Sequence, residues 1–426
     1  MHRHSPGEGK QAKEPSFREL TTLAEKLDYL EKHTPLTRET RVVFEDFANR
    51  HVSVVAGPTK ENHLVNLPMP IGIIPKIVVN GSARAVPMLI EEASVVAGVS
   101  NMSKIGSATY TEYVDDHSID STLLSSKTGF QSVASGNATT GQIQIIGIPD
   151  TEIAKALEEI KGHKDELIRI GNAQHKHAKI LTLEPKVIET ERGKQVIVRF
   201  EVETGDGQGA GVVSNMGEVM KPELSRITGG YAAVAILSNL ALGRLVTCEA
   251  TFGKDELAWK DKSGKVLMTG EEVIERILDL QALAKADQER ATTHNKGIMN
   301  GIIAVANALL QDTRALEAGA HSYAAYGHAY APLSSFRVDS EGNLVGVLKL
   351  PVAIGTVGGA FGDNPNVGRF FMEIMGCTKA SEVAEVMAAV GLAQNVAALR
   401  MLVTFGVTEG HGGFKRPALL RSNASS

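Results

Sequence analysis

Three short stretches of this chain hold the residue types that could do chemistry. ERATTHNKGIMNG, from Glu289 to Gly301, gathers Arg290, His294, Asn295, Lys296 and Asn300 between apolar flanks. A lysine held there could stabilise a developing oxyanion, although the same residues would also suit a solvated polar loop. Glu91-Glu92 lies between VPMLI and ASVVAG. A carboxylate partly desolvated by such neighbours can act as a proton donor, while a pair of acids also suits a plain helix N-terminus. GDGQGAG, Gly205 to Gly211, follows a strand pattern and precedes a helical one. Glycines let a backbone approach phosphates and a helix N-terminus favours an anion, but the spacing is not GxGxxG and a flexible turn would look alike. Asp312, before TRALEAGAHSYA, reads as an N-cap or an acid, and His411 in EGHGG as a mobile proton donor or a surface residue. The only cysteines, Cys248 and Cys377, read as packing residues: the first falls in a strand and the second lacks a nearby base.

Periodicity supplies the elements that must position these groups. Ser16 to His33 reads as a helix with Phe17, Leu20, Leu23, Leu27 and Leu30 on one face. Met69 to Ile90 reads as extended pieces turning at Asn80-Gly81, and Glu91 to Lys104 as a helix. Gly106 to Ser126 is polar and aperiodic, an inserted loop. From Gln142 the order is strand QIQIIGI, a helix to about Asn172, two strands joined at Arg192-Gly193, a helix from about Val212 and strand YAAVAIL. That β-α-β-β-α-β order is a split βαβ, ferredoxin-like arrangement. From Glu271 the pattern is mostly helical, broken by strand NLVGVLKLPVAIG, and closes with a helix from Ser381, a plausible N-cap, to about Thr404.

Bulk properties narrow the class. The 426 residues suggest two or three domains, and 43% hydrophobic with 22% charged residues is ordinary for a globular chain. A net charge of −5 without charge blocks gives no reason to expect a nucleic-acid partner or a membrane surface. Two distant cysteines exclude a disulfide framework and point to a reducing compartment, so the cytoplasm is expected. Nowhere is there a long uninterrupted apolar run. Tyr231 to Val246 comes nearest, broken by Ser238, Asn239 and Arg244.

Taken together these pieces resemble the hydroxymethylglutaryl-coenzyme A reductases of the soluble bacterial and archaeal class. The resemblance runs from about Ser16 to Gly412 and rests on ENHLVNLPMPIGI, VPMLIEEASVVAG, ITGGYAAVAILSNLALGRL, RATTHNKGIMNG, DTRALEAGAHSYA, VGGAFGDNP, VGLAQN and the late Gly410-His411. It implies an α+β fold: a large, mainly helical substrate-binding domain with an inserted ferredoxin-like dinucleotide-binding domain. The expected divisions are a disordered head at 1–15, the large domain at 16–141 and 250–404, the insertion at 142–249 and a mobile tail at 405–426.

The resemblance further implies reduction of 3-hydroxy-3-methylglutaryl-CoA to mevalonate and CoA by two hydride transfers through mevaldehyde, or the reverse oxidation. Lys296 matches the oxyanion stabiliser and Glu92 the acid. Asp312 matches the aspartate that joins them in one hydrogen-bonded group, and His411 the donor to the CoA thiolate. Arg290, Ser94, Asn300 and Asn239 match acyl contacts, and Arg18 a CoA phosphate contact. Asp206, Gly207, Gly209, Ala210 and Gly211 fall on the dinucleotide turn, where the family's usual DAMG pattern is altered. No metal is implied, and the active site forms between subunits of at least a homodimer. Where NADH-using members carry an aspartate, this chain has His175, Lys176 and Lys179, so NADPH is expected to be preferred over NADH. Two other readings stay open: a non-catalytic relative that binds CoA thioester and dinucleotide, motivated by the altered turn, and an acyl-transfer enzyme, which would need a nucleophilic cysteine beside a histidine.

Overall fold

The structure is a computed structural model that describes residues 20–33, 38, 41–42, 69–106, 129–363 and 365–406. Arg18, His411 and the polar stretch after Gly106 lie outside the described residues. The chain divides into two compact units, residues 1–70 and 71–426.

In the first unit, helix α1 spans Leu23–His33. Its start is a reciprocal cap: the Glu25 carboxylate accepts from the amides of Thr21 and Thr22 (3.0 and 2.9 Å), while Thr22 Oγ1 accepts from Glu25 N. Leu27 of the expected apolar face is buried.

The second unit opens with a hairpin, β1 (Ile71–Val79) and β2 (Ser82–Leu89). Its turn sits at Asn80-Gly81, with φ of 50° and 76°, the left-handed pair that a two-residue hairpin requires. Helix α2 follows at Ala93–Gly106. After β3 (Gln131–Ala134) comes β4 (Ala138–Ile146), which begins upstream of the expected QIQIIGI. The helical stretch behind it is two helices, α3 (Ile153–Gly162) and α4 (Lys164–Asn172), interrupted at Gly162-His163. Then come β5 (Lys179–Thr190), β6 (Gly193–Glu203), α5 (Ala210–Thr228) and β7 (Tyr231–Leu237). These four strands form one sheet in the order β5-β6-β4-β7 with antiparallel neighbours, the order of a split βαβ unit. Ile143, Val198, Phe200, Leu167, Met216 and Met220 fill its core. The Phe200 ring needs two glycines around it: a Cβ on Gly141 would come within 2.2 Å of the ring, and one on Gly217 within 3.2 Å.

A second core surrounds another four-stranded sheet, β9-β10-β8-β3, where β8 is Leu245–Phe252, β9 Ser334–Val338 and β10 Leu344–Pro351. Packed with it are α6 (Gly270–Ala286), α7 (Gln288–Ala308), α8 (Thr313–Ala324), α9 (Pro365–Met375) and α10 (Ala380–Val403). The polar stretch Glu289 to Gly301 is therefore not a loop but the front of α7, capped by Asp287, whose side chain accepts from Arg290 N at 2.8 Å. Its glycines allow α10 to pass close: a Cβ on Gly301 would lie 3.1 Å from Val390 O, and one on Gly391 would lie 2.8 Å from Ile302. Ser381 is not the cap of α10; Lys379 takes that position. The Glu382 carboxylate accepts from the amides of Thr378 and Lys379, and Asp206 Oδ1 accepts from Ala380 N at 2.8 Å, so the helix start is satisfied without a serine. By length and composition α10 would pass as a membrane span, which the sequence reading did not single out. Most of it is buried against α2, α7 and β8, as a core helix is.

Candidate active site

Helix α7 presents two faces. Ile298, Ile302 and Val305 are buried in the core, whereas Arg290, Lys296 and Asn300 line a cavity of about 750 Å³. The start of α2 contributes Glu92 and Ser94 to the same cavity, and α10 contributes Gln394 and Asn395. Five residues given catalytic or acyl-binding roles from sequence thus share one cavity, and His294 of the same stretch lines it too. Ser94 Oγ donates to Glu92 Oε1 at 2.6 Å, fixing that carboxylate. The Arg290 guanidinium carries a buried Nε without a partner, and desolvation lowers its affinity for its proton.

Behind Lys296 lies a polar group that sequence reasoning did not assign. Ser334 Oγ donates to Asn395 Oδ1 (2.7 Å) and so accepts from His294 Nε2 (2.6 Å). This places the ring proton on Nε2 and leaves Nδ1 as a buried acceptor with no partner. Burial, with the nearby Arg290 charge second, pushes this histidine down to about 4. Gln394 Oε1 is likewise buried and unpartnered. His294 stands four residues after Arg290, one helical turn on, a spacing that becomes informative only once the stretch is known to be helical.

A second cavity, of about 950 Å³, is lined by His175, Lys176, Gly207, Gly209, Ala210 and Gly211 among the expected residues, and by Asp312. Gly209 is the N-cap of α5 with φ 93°, a conformation that favours glycine, and a Cβ there would approach Thr204 Cγ2 at 2.8 Å. The first intrahelical bond runs from Val213 N to Gly209 O, so the preceding amides of the turn have no helical acceptor. His177, beside the expected His175 and Lys176, also lines this cavity, as do Thr204, Arg314, Val357 and Phe361, which come from separate segments. Lys179 begins β5 and is not among its lining residues. Nor is Asp206, whose carboxylate is held by Ala380 N.

Asp312 is the N-cap of α8, accepting from Arg314 N and Ala315 N at 3.1 and 3.2 Å, with the Arg314 guanidinium at 3.1 Å. Within one chain it does not share the cavity of Lys296 and Glu92, and the two cavities have no lining residue in common. Asn239 also stands apart, on an exposed loop after β7 with its carbonyl oxygen 2.8 Å from where a Cβ on Gly319 would be. The cysteines are inert. Burial raises the Cys248 thiol, and raises Cys377 to about 11, and neither lines either cavity.

The family model described as hydroxymethylglutaryl-coenzyme A reductase matches residues 22–116 and 117–416. The 3-hydroxy-3-methylglutaryl-coenzyme A reductase of Archaeoglobus fulgidus is 40% identical over 362 residues, covering 84% of this chain and 76% of that protein. A probable reductase of the same name from Borreliella burgdorferi is 29% identical over 405 residues, 93% of this chain and 85% of that one. Among solved structures, the class II 3-hydroxy-3-methylglutaryl-CoA reductase of Streptococcus pneumoniae bound to NADPH is similar with a TM-score of 0.72 and 31% identity, covering 90% of this chain and 98% of that one. The chain belongs to the hydroxymethylglutaryl-coenzyme A reductase family, and it is an oxidoreductase.

Proposed function

We propose that the protein reduces 3-hydroxy-3-methylglutaryl-CoA to mevalonate and CoA through mevaldehyde, in the mevalonate pathway and in the cytoplasm. The observation that carries this reading is the cavity in which Lys296, Arg290 and Asn300 of α7 meet Glu92 and Ser94, in a chain of this family. Lys296 forms no hydrogen bond or ion pair among the described residues, so its ammonium is available to a carbonyl oxygen that gains charge. Glu92, oriented by Ser94, gives a proton to the aldehyde oxygen. Arg290 pairs with the acyl carboxylate, Asn300 and Asn239 hold hydroxyl groups, Arg18 takes a CoA phosphate, and His411 protonates the departing thiolate.

A nicotinamide dinucleotide supplies the hydride. The second cavity fits such a group: a Cβ on Gly211 would meet nothing within 4 Å, the first amides of α5 have no helical acceptor, and His175 and Lys176 are among the lining residues. Gly207, Gly209 and Ala210 complete the turn, Asp206 ties it to α10, and Lys179 adds positive charge beyond it. Because the cavities share no lining residue while hydride transfer requires contact, we assign the working enzyme as a homodimer. Each dinucleotide cavity, with its Asp312, then serves the acyl cavity of the partner.

The test is to follow dinucleotide absorbance on mixing the protein with 3-hydroxy-3-methylglutaryl-CoA and NADPH. Two equivalents consumed per thioester are expected, and Lys296→Ala should slow reduction of both thioester and added mevaldehyde by ~10²–10³. Thiol release without dinucleotide use, or binding of both ligands without turnover, would overturn the assignment.

A further inference from the structure

Arg244 enters the sequence only as a break in an apolar run, yet it is 3% exposed and each of its guanidinium nitrogens is hydrogen-bonded. Nε donates to Thr139 Oγ1 and Nη1 to Ile354 O, both at 3.0 Å. Nη2 donates to Asn137 O (3.0 Å), Gly207 O (2.7 Å) and Thr204 Oγ1. One side chain therefore joins the start of β4, the segment leading into the α5 turn, and the chain leaving β10. Gly355 and Val357, just beyond Ile354, line the second cavity beside the turn, where a Cβ on Gly355 would lie 2.5 Å from Gln208 N.

Every one of these acceptors is neutral. The nearest carboxylates act only from a distance and are otherwise occupied: Glu203 Oε1 accepts from Gly205 N at 3.1 Å and Asp206 Oδ1 from Ala380 N. Burial pulls the guanidinium down to about 10, so the charge is kept at neutral pH against a desolvation cost. A buried cation with no carboxylate in contact leaves positive potential on the surface nearest to it. That surface is the turn at Gly207. Its carbonyl, drawn onto Arg244, is also turned away from any anion in the cavity, which it would otherwise repel.

We propose that Arg244 is a positioning residue for the dinucleotide. It sets the shape of the glycine turn, and its buried charge is balanced by the phosphates bound on the far side of that turn. This rests on the reading of the second cavity as the dinucleotide site. It is tested with full-length Arg244→Lys, which keeps the charge but not the five-donor fork, and with the near-isosteric Thr139→Val, which removes the acceptor of Nε and lies outside the cavity lining. NADPH binding is followed by nucleotide fluorescence and 3-hydroxy-3-methylglutaryl-CoA binding by calorimetry. Each variant should raise the NADPH Kd by about tenfold or more, with thioester Kd held within about twofold and kcat kept at saturating NADPH. An unchanged NADPH Kd in both variants, or equal weakening of both ligands, would overturn the proposal. A wild type that binds both ligands without turnover would instead sink the reductase reading and leave this one standing.

Discussion

His294 is the most constrained side chain beside Lys296, and its position has a measurable cost. Its folded form is the neutral ring, held down to about 4, whereas the unfolded imidazole takes a proton below its ordinary 6.5. The stability is complete above about pH 6.5 and is lost as pH falls toward 4, to a total of about 3 kcal/mol at 1.36 kcal/mol per pH unit. Denaturant unfolding at neutral pH and near pH 5 should show about 2 kcal/mol of this loss in the wild type and less in His294→Asn; equal losses would remove the histidine as its source. At this scale the sequence is partly legible. Glu92 stands out by its apolar flanks and Arg290, Lys296 and Asn300 by their clustering, whereas Ser94 comes out only through the family resemblance, and the fold adds that all of them face one cavity. Gln394 and Arg244 could not be read in this way, because Gln394 is marked by a buried oxygen without a partner and Arg244 by its set of neutral acceptors, and both depend on segments far away in sequence.

Among the elements, the glycine turn separates stability from binding. Gly211 lies in the first turn of α5, where a Cβ would meet nothing within 4 Å, yet the residue lines the second cavity. Gly211→Ala should leave the unfolding free energy within about 0.5 kcal/mol of the wild type. It should weaken NADPH binding by on the order of tenfold, because the added methyl stands where a phosphate must approach. A variant that binds normally would show that the turn does not touch the ligand. The hairpin at Asn80-Gly81 and the strands of the split βαβ sheet were legible because alternation and turn residues are local signals. The front of α7 was harder to read: its polar side chains mask the helical period of the apolar residues that pack against α10. The N-cap of α10 was misplaced because Glu382 and Asp206 do the capping, the latter from another segment.

For the molecule as a whole, the choice of dinucleotide follows from charge at the second cavity. His175, Lys176, His177 and Arg314 line it, and Asp312, the one acid among its described lining residues, is paired with Arg314. NADPH should therefore give a higher kcat/KM than NADH, and added salt should narrow the difference. A higher kcat/KM with NADH in steady-state assays would refute this. Fold class was legible because strand order follows from local patterns; the meeting of α2, α7 and α10 around one cavity was not, since close helix packing at Gly301 and Gly391 depends on which helices become neighbours. That packing also bears on how the chain is made. The helix at the centre of the large core, Ala380–Val403, follows α2, β8 and α7 in the chain and so leaves the ribosome after them. At roughly 5–20 residues per second, the apolar faces of α2, β8 and α7 wait on the order of ten seconds or more for their partner. During that interval the nascent protein presents an open, adhesive surface, and a chain whose translation stops before residue 380 can never cover it.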